Sequence, residues 1–179
     1  ALRRFLPELQ DETEADLTVV NAENAAGGFG VTAGVLEEFL EQSEIDVLTS
    51  GNHIWDKREA LDLIQDEPRL LRPHNYPEDT PGSGWIVATA SNGVRVGVLN
   101  IMGTVFMHPT LDCPFSSANL AIEKKPSDVH AVLVDFHAEA TSEKVAMGWY
   151  LDGRVSAVVG THTHVPTADE RVLPQGTAH

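Results

Sequence analysis

The sequence has few cysteines and few basic residues. Cys113 is the only cysteine among 179 residues, which excludes an internal disulfide framework and favours a reducing, cytoplasmic setting. Lysine and arginine together number 12 against 27 aspartates and glutamates, so the formal net charge is −15. This charge argues against long duplex nucleic acid and against an anionic membrane surface as partners, since both attract basic proteins. A small phosphorylated ligand remains compatible, because a metal site can supply positive charge locally.

A long apolar run is also missing. Runs such as VHAVLV at 129–134 are far shorter than the roughly 18 residues of a membrane span, and no signal peptide is recognisable. The 42% of hydrophobic residues is enough to form a core, which predicts one domain over 1–179. The chain opens on a helical pattern where an α/β domain usually has a strand, and it stops where a strand pattern begins. We therefore expect the domain to be incomplete at both ends.

Apolar patterning predicts strands that alternate with helices. Strands are predicted within 16–24, 45–55, 85–101 (a hairpin around Asn92-Gly93), 129–137 and 155–164, and helices within 1–9, 32–42 (with Thr32 as N-cap), 57–65 and 142–151. This alternation favours an α/β fold with a largely parallel sheet and an inserted antiparallel hairpin.

Polar residues with metal-ligand chemistry lie at the ends of several predicted strands. They are Glu23, Asn24, Asn52, His53, His137, His162 and His164. Each alone has an ordinary explanation: a carboxylate is often a cap, an asparagine a turn residue, and a histidine a buried polar group. Together they predict one site, because ligands of open α/β sheets bind at the carboxyl ends of the strands.

The pair His162 and His164 is the most specific of these features. In extended chain, residues i and i+2 face the same side, with Cα atoms about 6–7 Å apart. Two imidazoles so placed can share one metal, or each can bind one of two neighbouring metals. The spacing leaves both arrangements open.

Other motifs give weaker indications. Glycines 27, 28 and 30 do not have the spacing of a nucleotide phosphate loop. The sequence also lacks the Gly-x-Ser-x-Gly motif that is typical of serine hydrolases. Asp135, two residues before His137, is either an outer partner of that histidine or a fold-stabilising acid. His74, His108 and His130 show no strand-end placement.

Several strings resemble one known family. Gly-Asn-His at 51–53, His137 and GTHTH at 160–164 are similar to motifs of the calcineurin-like metallophosphoesterases. The longer strings NAENAAGGFG, VDFHAEATSEKVAMGW and VVGTHTHVPTADERVLPQGTA closely resemble the YmdB-type branch, a bacterial phosphodiesterase family. The likeness covers essentially the whole chain. It implies a four-layer α-β-β-α sandwich of two stacked sheets between helices.

The resemblance also implies two transition metals, commonly iron or manganese, with zinc as an alternative. Glu23 then looks like the bridging carboxylate. The other ligands divide into Asn24 and His164 on one metal, and Asn52, His137 and His162 on the other. The family's first strand carries a Gly-Asp motif whose aspartate binds the Asn24/His164 metal, and that strand is absent from this sequence.

The implied reaction is hydrolysis of small phosphodiesters, including 2′,3′-cyclic nucleotides. Two cations neutralise the phosphate and lower the pKa of a bridging water, so that hydroxide attacks in line. His53 resembles the family's non-ligand histidine near the leaving group, and we expect it to be catalytic. The expected partners are a small phosphodiester and, as an open alternative, a second copy of the chain.

Three other functions are compatible with the same residues. The first is a metallophosphatase or nuclease that uses the same site on a different ester. The second is a metal-dependent amidohydrolase, against which the asparagine-rich ligand set argues. The third is a non-enzymatic protein that senses a metal or nucleotide or acts as an assembly partner.

Overall fold

The computed structural model describes residues 2–179. In chain order its elements are α1 (Leu2–Thr13), β1 (Val19–Asn21), α2 (Ala33–Glu37), a π-helical segment (Glu38–Gln42), β2 (Val47–Thr49), α3 (Ala60–Asp66), β3 (Trp85–Thr89), β4 (Arg95–Met102), α4 (Pro114–Glu123), β5 (Ala131–Ala138), α5 (Thr141–Leu151) and β6 (Ala157–His162). The predicted first helix is present as α1, and its predicted first residue, Ala1, lies outside the described residues. Over 2–179, no helix combines the length and the apolar character needed to cross a membrane.

The strands of residues 2–179 form two sheets, a parallel pair β1-β2 and a four-stranded sheet of order β3-β4-β5-β6. β3 pairs antiparallel with β4, whereas β4, β5 and β6 run parallel. The mixed α/β class, the parallel pairing and the inserted hairpin are therefore confirmed. The prediction of one sheet from the strand pattern is wrong, because apolar patterning indicates which segments are extended and does not indicate which strands pair.

The hairpin between β3 and β4 turns at Asn92-Gly93. Gly93 has φ 84°, a left-handed conformation that glycine adopts without steric cost. The Asn92 side-chain oxygen accepts a hydrogen bond from the Val94 backbone amide at 2.9 Å. The sequence signal and the observed turn agree because both depend only on neighbouring residues.

Buried side chains pack on both faces of each sheet. Phe136 and Ile101 of the larger sheet belong to one cluster with residues of α4 and α5. Leu48 of β2 belongs to a second cluster with residues of α1, α2 and α3. Val47, the preceding residue of β2, packs with Val98 of β4 in a third cluster between the sheets. Neighbouring residues of β2 thus point to opposite faces, and each fully buried apolar side chain contributes about 1.5–3 kcal/mol.

Some local features differ from the sequence prediction. Helix α4 was not predicted, although its Pro114 occupies the first turn, where proline is favoured. Thr32 precedes α2 with an extended backbone, but its side chain makes no capping hydrogen bond within residues 2–179. The apolar pattern of the first helix predicts Leu2, Phe5 and Leu6 on one side, but in α1 Leu2 and Leu6 pack against the core while Phe5 is 47% exposed. None of these differences changes where the strands end.

Candidate metal centre

The strands that carry the predicted ligands end side by side. In the register of β5 and β6, His137 is opposite Thr161 and Ala138 is opposite His162. In the register of β1 and β2, Asn21 is opposite Thr49, so the segments after these strands also start at one level. Each pair is parallel, so the carboxyl ends of its strands lie together, and hydrogen bonds from Asn21 and Thr49 to Asp135 of β5 join the two sheets at this edge.

Glu23, His137 and His162 form the centre of the site. Nε2 of His137 lies 3.1 Å from Oε2 of Glu23 and 3.1 Å from Nδ1 of His162. One ligand atom of each residue lies within 4.8 Å of the others, and among residues 2–179 this is the one such group of three. Glu23 is 1% exposed and His137 is fully buried. A buried carboxylate with two imidazoles is a donor set that suits iron, manganese or zinc.

The Gly-Asn-His turn after β2 brings a fourth donor to the same point. The side-chain oxygen of Asn52 lies 3.1 Å from Nε2 of His137. Gly51 permits this approach, because a Cβ at that position would lie 2.1 Å from Nε2 of His137. The glycine of the motif thus has a steric role that the sequence pattern did not reveal.

Asn24 and His164 form a separate corner of the site. Nδ2 of Asn24 lies 2.9 Å from Nε2 of His164. The Asn24 side-chain oxygen is buried and has no hydrogen-bond partner among residues 2–179. A buried amide oxygen without a partner is costly unless something else binds it, and a cation is one such group. These residues therefore also fit a metal ligand role.

The backbone around the two C-terminal histidines differs from the extended chain expected from sequence. Strand β6 ends at His162, and His162 and His164 have φ 91° and φ 54°. Both still line one cavity of about 370 Å³ together with Glu23. The two histidines therefore face one cavity, but the reason is a left-handed turn and not the two-residue repeat of a strand.

His53 lies beside the cluster and is not part of it. Its backbone amide donates to Oε1 of Glu23 at 2.9 Å, while its ring Nδ1 lies 2.7 Å from Oδ2 of Asp56. The ring of Phe29 packs against it with centroids 5.0 Å apart. Asp56 and Phe29 thus fix the orientation of the ring, and sequence reasoning did not identify either residue.

Local electrostatics favour the protonation states that bind cations. Burial raises the pKa of the Glu23 carboxyl, but the contacts with a protonated His137 and with the His53 amide outweigh it, so the pKa falls below its usual value. Burial lowers the pKa of His162, and the charge of His137 lowers it further. An ionised carboxylate and a neutral imidazole are the forms that coordinate a metal.

The outer ring nitrogens of the two cluster histidines also have partners. Nε2 of His162 lies 3.2 Å from the Glu139 carboxylate, and Nδ1 of His137 lies 3.0 Å from the Thr161 hydroxyl. Metal-binding histidines usually hold their second nitrogen in this way. Glu139 and Thr161 were not singled out from sequence, since an acid at a helix start and a strand threonine are common.

Comparisons with known proteins match the chain to one family and to several relatives. The model of the family described as YmdB-like protein matches residues 1–179. A Bacillus subtilis (strain 168) protein named 2′,3′-cyclic-nucleotide 2′-phosphodiesterase is 48% identical over 178 residues, which are 99% of this chain and 66% of that protein. The chain spans between 62% and 66% of the length of the curated relatives it matches.

Two solved structures are also similar. A hypothetical protein from Thermus thermophilus superposes with a TM-score of 0.89 at 43% identity, over 99% of this chain and 68% of that one. A structure described as a novel phosphatase, from Mycoplasma pneumoniae, gives a TM-score of 0.89 at 35% identity, over 99% of this chain and 63% of that one. With a family match along its whole length, the chain belongs to the YmdB-like family.

Proposed function

We propose that the chain is the metal-binding part of a phosphodiesterase that hydrolyses small phosphodiesters, including 2′,3′-cyclic nucleotides. The observation that carries this proposal is the convergence of Glu23, His137 and His162 within 4.8 Å. The name of the B. subtilis relative supports the substrate class. The net charge of −15 supports a small substrate over long nucleic acid.

The proposed cofactor is a pair of divalent transition metals, iron or manganese, with zinc as an alternative. In this assignment Glu23 would bind both ions, Asn52, His137 and His162 would bind one of them, and Asn24 and His164 would bind the other. The contacts of His137 with Glu23 and Asn52 support the first group, and the unpartnered oxygen of Asn24 supports the second. Such cations neutralise phosphate charge and make a water-derived nucleophile available near neutral pH.

His53 is the proposed catalytic residue. Its Nδ1 faces Asp56, so Nε2 is the ring atom left to serve the substrate. There it donates a proton or a hydrogen bond to the oxygen that leaves the phosphorus. Packing of the Phe29 ring against the imidazole supports one direction of Nε2.

We also propose that the two sheets and their helices form a four-layer α-β-β-α sandwich. Packing of Val47 with Val98 between the sheets supports this arrangement, as do the helices that cover the far face of each sheet. A cytoplasmic location is proposed from the single cysteine.

The deciding experiment combines metal content with a substrate panel on the full-length protein. We expect bound iron or manganese, and faster hydrolysis of 2′,3′-cyclic AMP than of 3′,5′-cyclic AMP, phosphate monoesters or oligonucleotides. Preference for a monoester would replace the proposal by a phosphatase, the description given to the M. pneumoniae structure. Absence of bound metal, with no stabilisation by added Mn²⁺, would overturn the metal-dependent function altogether.

A further inference from the structure

We propose that Thr161 and Asp135 form a hydrogen-bond relay that fixes the ring orientation and the tautomer of His137. Both are then positioning residues for the metal site. The inference rests on the proposed metal site, and it concerns residues that bind no metal themselves. It assigns Asp135, for which the sequence left two roles open, to the support of His137 through an intervening hydroxyl.

The relay is defined by two contacts. The Thr161 hydroxyl donates to Oδ1 of Asp135 at 2.6 Å, and the same hydroxyl oxygen lies 3.0 Å from Nδ1 of His137. A hydroxyl has a single hydrogen, and here the carboxylate receives it. The threonine oxygen therefore acts as acceptor toward the ring, which places a hydrogen on Nδ1 of His137.

This hydrogen placement determines what the other ring nitrogen can do. A neutral imidazole protonated at Nδ1 presents only a lone pair at Nε2. That Nε2 faces the oxygens of Glu23 and Asn52 at 3.1 Å each. All of these atoms are acceptors, and acceptors converging on one point are suited to a cation. The relay thus selects the tautomer of His137 that binds metal.

Asp135 is itself fixed on both sides. Its second oxygen accepts from Nδ2 of Asn21 at 3.1 Å and from the Thr49 hydroxyl, and the residue is 3% exposed. Asn21 and Thr49 end the two strands of the small sheet, whereas Asp135 and Thr161 belong to the large one. The carboxylate therefore joins the two sheets directly beneath the site.

A purely structural role for Asp135 would use these same hydrogen bonds, and Thr49 provides the means to separate the two roles. Thr49 and Thr161 both donate to Asp135, but only Thr161 contacts His137. Replacing either by valine removes one donor to the carboxylate at similar shape. Only the replacement at 161 also leaves Nδ1 of His137 without its acceptor.

The test is Mn²⁺ binding by calorimetry on full-length Thr161→Val, Thr161→Ser and Thr49→Val, with urea unfolding of each metal-free protein. We expect about 10- to 100-fold weaker binding for Thr161→Val, the usual effect of removing an outer partner of a metal ligand. Thr161→Ser keeps the hydroxyl and should bind like the wild type, as should Thr49→Val despite its lower stability. Equal loss of affinity in both valine variants, or none in Thr161→Val, would overturn the relay.

A second measurement needs no variant. Nitrogen-15 NMR of labelled histidines in the metal-free wild type at mildly alkaline pH should show His137 with its hydrogen on Nδ1. A hydrogen on Nε2 would contradict the relay. If the wild type binds Mn²⁺ but does not hydrolyse cyclic nucleotides, the proposed function fails while both tests of the relay remain decisive. If the wild type binds no Mn²⁺, both the proposed function and the role of the relay at the metal site are overturned.

Discussion

The two corners of the site differ in how the fold holds their ligands. In the first corner, formed by Asn52, His137 and His162, His137 is fully buried at the end of a central strand, and the Thr161 hydroxyl holds its Nδ1. In the second corner, His164 is exposed after the end of β6, and the buried oxygen of Asn24 has no partner within residues 2–179. The first corner is thus preorganised by the sheets, whereas the second depends on loops.

This difference suggests an order of metal affinity. Donors already fixed by packing and hydrogen bonds lose little conformational freedom when a cation binds. Donors on a loop must be ordered at that moment, which reduces the net affinity. We therefore expect the Asn52/His137/His162 corner to bind its metal more tightly than the Asn24/His164 corner.

The largest loss of bound metal is expected for Glu23→Gln. This carboxylate lies between the corners, and the substitution removes its charge at nearly constant shape. Metal affinity should fall by more than the roughly 100-fold limit typical of outer partners, and hydrolysis should fall to background. Metal content and calorimetry measure this change.

Glu143→Gln is the matched control, because Glu143 is also a buried acid, 7% exposed. It accepts backbone amides of Thr104 and Val105 and lies outside the cluster. Its replacement should reduce stability and leave metal content intact. If Glu23→Gln bound metal as tightly as the wild type, the comparison of the two corners would lose its basis.

A somewhat smaller loss of metal affinity is expected for Gly51→Ala. The added Cβ would lie 2.1 Å from Nε2 of His137, so the ring or the turn must move away from the preorganised position. Overpacking of this kind costs about 1–3 kcal/mol of stability, and the first corner should bind metal more weakly. Urea unfolding and Mn²⁺ titration measure the two effects.

Gly34→Ala serves as the control for that substitution. Apart from its chain neighbours and the backbone of its own helix, no heavy atom of the described residues lies within 4 Å of a Cβ placed there, and alanine is the better helix former by about 0.5–1 kcal/mol. This variant should be as stable as the wild type or more so, with unchanged metal binding. Equal behaviour of the two alanine variants would contradict the steric role of Gly51.

His164→Ala should remove one metal and leave the other. It affects only the loop corner, so bound metal should fall from about two ions per chain to about one. The metal-free protein should keep its stability, because the side chain is exposed. Elemental analysis gives the stoichiometry, and loss of both ions would show that the corners do not bind independently.

The smallest effect on metal is expected for His53→Ala. This residue contacts Glu23 through its backbone amide, which alanine retains. Metal content should be unchanged, while turnover should fall by about 10²- to 10⁴-fold through loss of a proton donor. Loss of metal in this variant would make His53 a ligand and contradict its catalytic assignment. Asp56→Asn should cause a milder loss of turnover, since it only orients the ring.

Local signals were sufficient for part of the fold. The hairpin at Asn92-Gly93 is confirmed because its signal lies in the turn itself. Helix α4 was missed because its sequence, PFSSANLAIE, shows a weak helical periodicity and few charged residues. Thr32 occupies the predicted N-cap position of α2, but within the described part of the chain its side chain makes no capping hydrogen bond, since a threonine before a helix indicates that bond only statistically.

The candidate site also divides into features that the sequence indicates and features that only the tertiary structure shows. Family motifs indicated the residues that converge, and the parallel order of β5 and β6 explains why strand ends could be grouped in advance. The contact of Gly51 with His137, and the hydrogen bonds of Thr161 with Asp135 and of His53 with Asp56, are visible only in the tertiary structure. These contacts join residues distant in sequence or depend on ring orientation, and the periodicity of apolar residues in the sequence predicts neither.

By itself, the sequence determined the α/β class, the hairpin, the absence of a disulfide framework and the set of candidate ligands, because these follow from composition, from short-range patterns and from motif strings. The tertiary structure alone decided that the strands form two sheets, that His162 and His164 share a cavity through a left-handed turn, and that one corner of the site is fixed more firmly than the other. The physical reason is that burial and hydrogen-bond partners depend on which elements pack together. Asp135, held by residues of both sheets, is the clearest case.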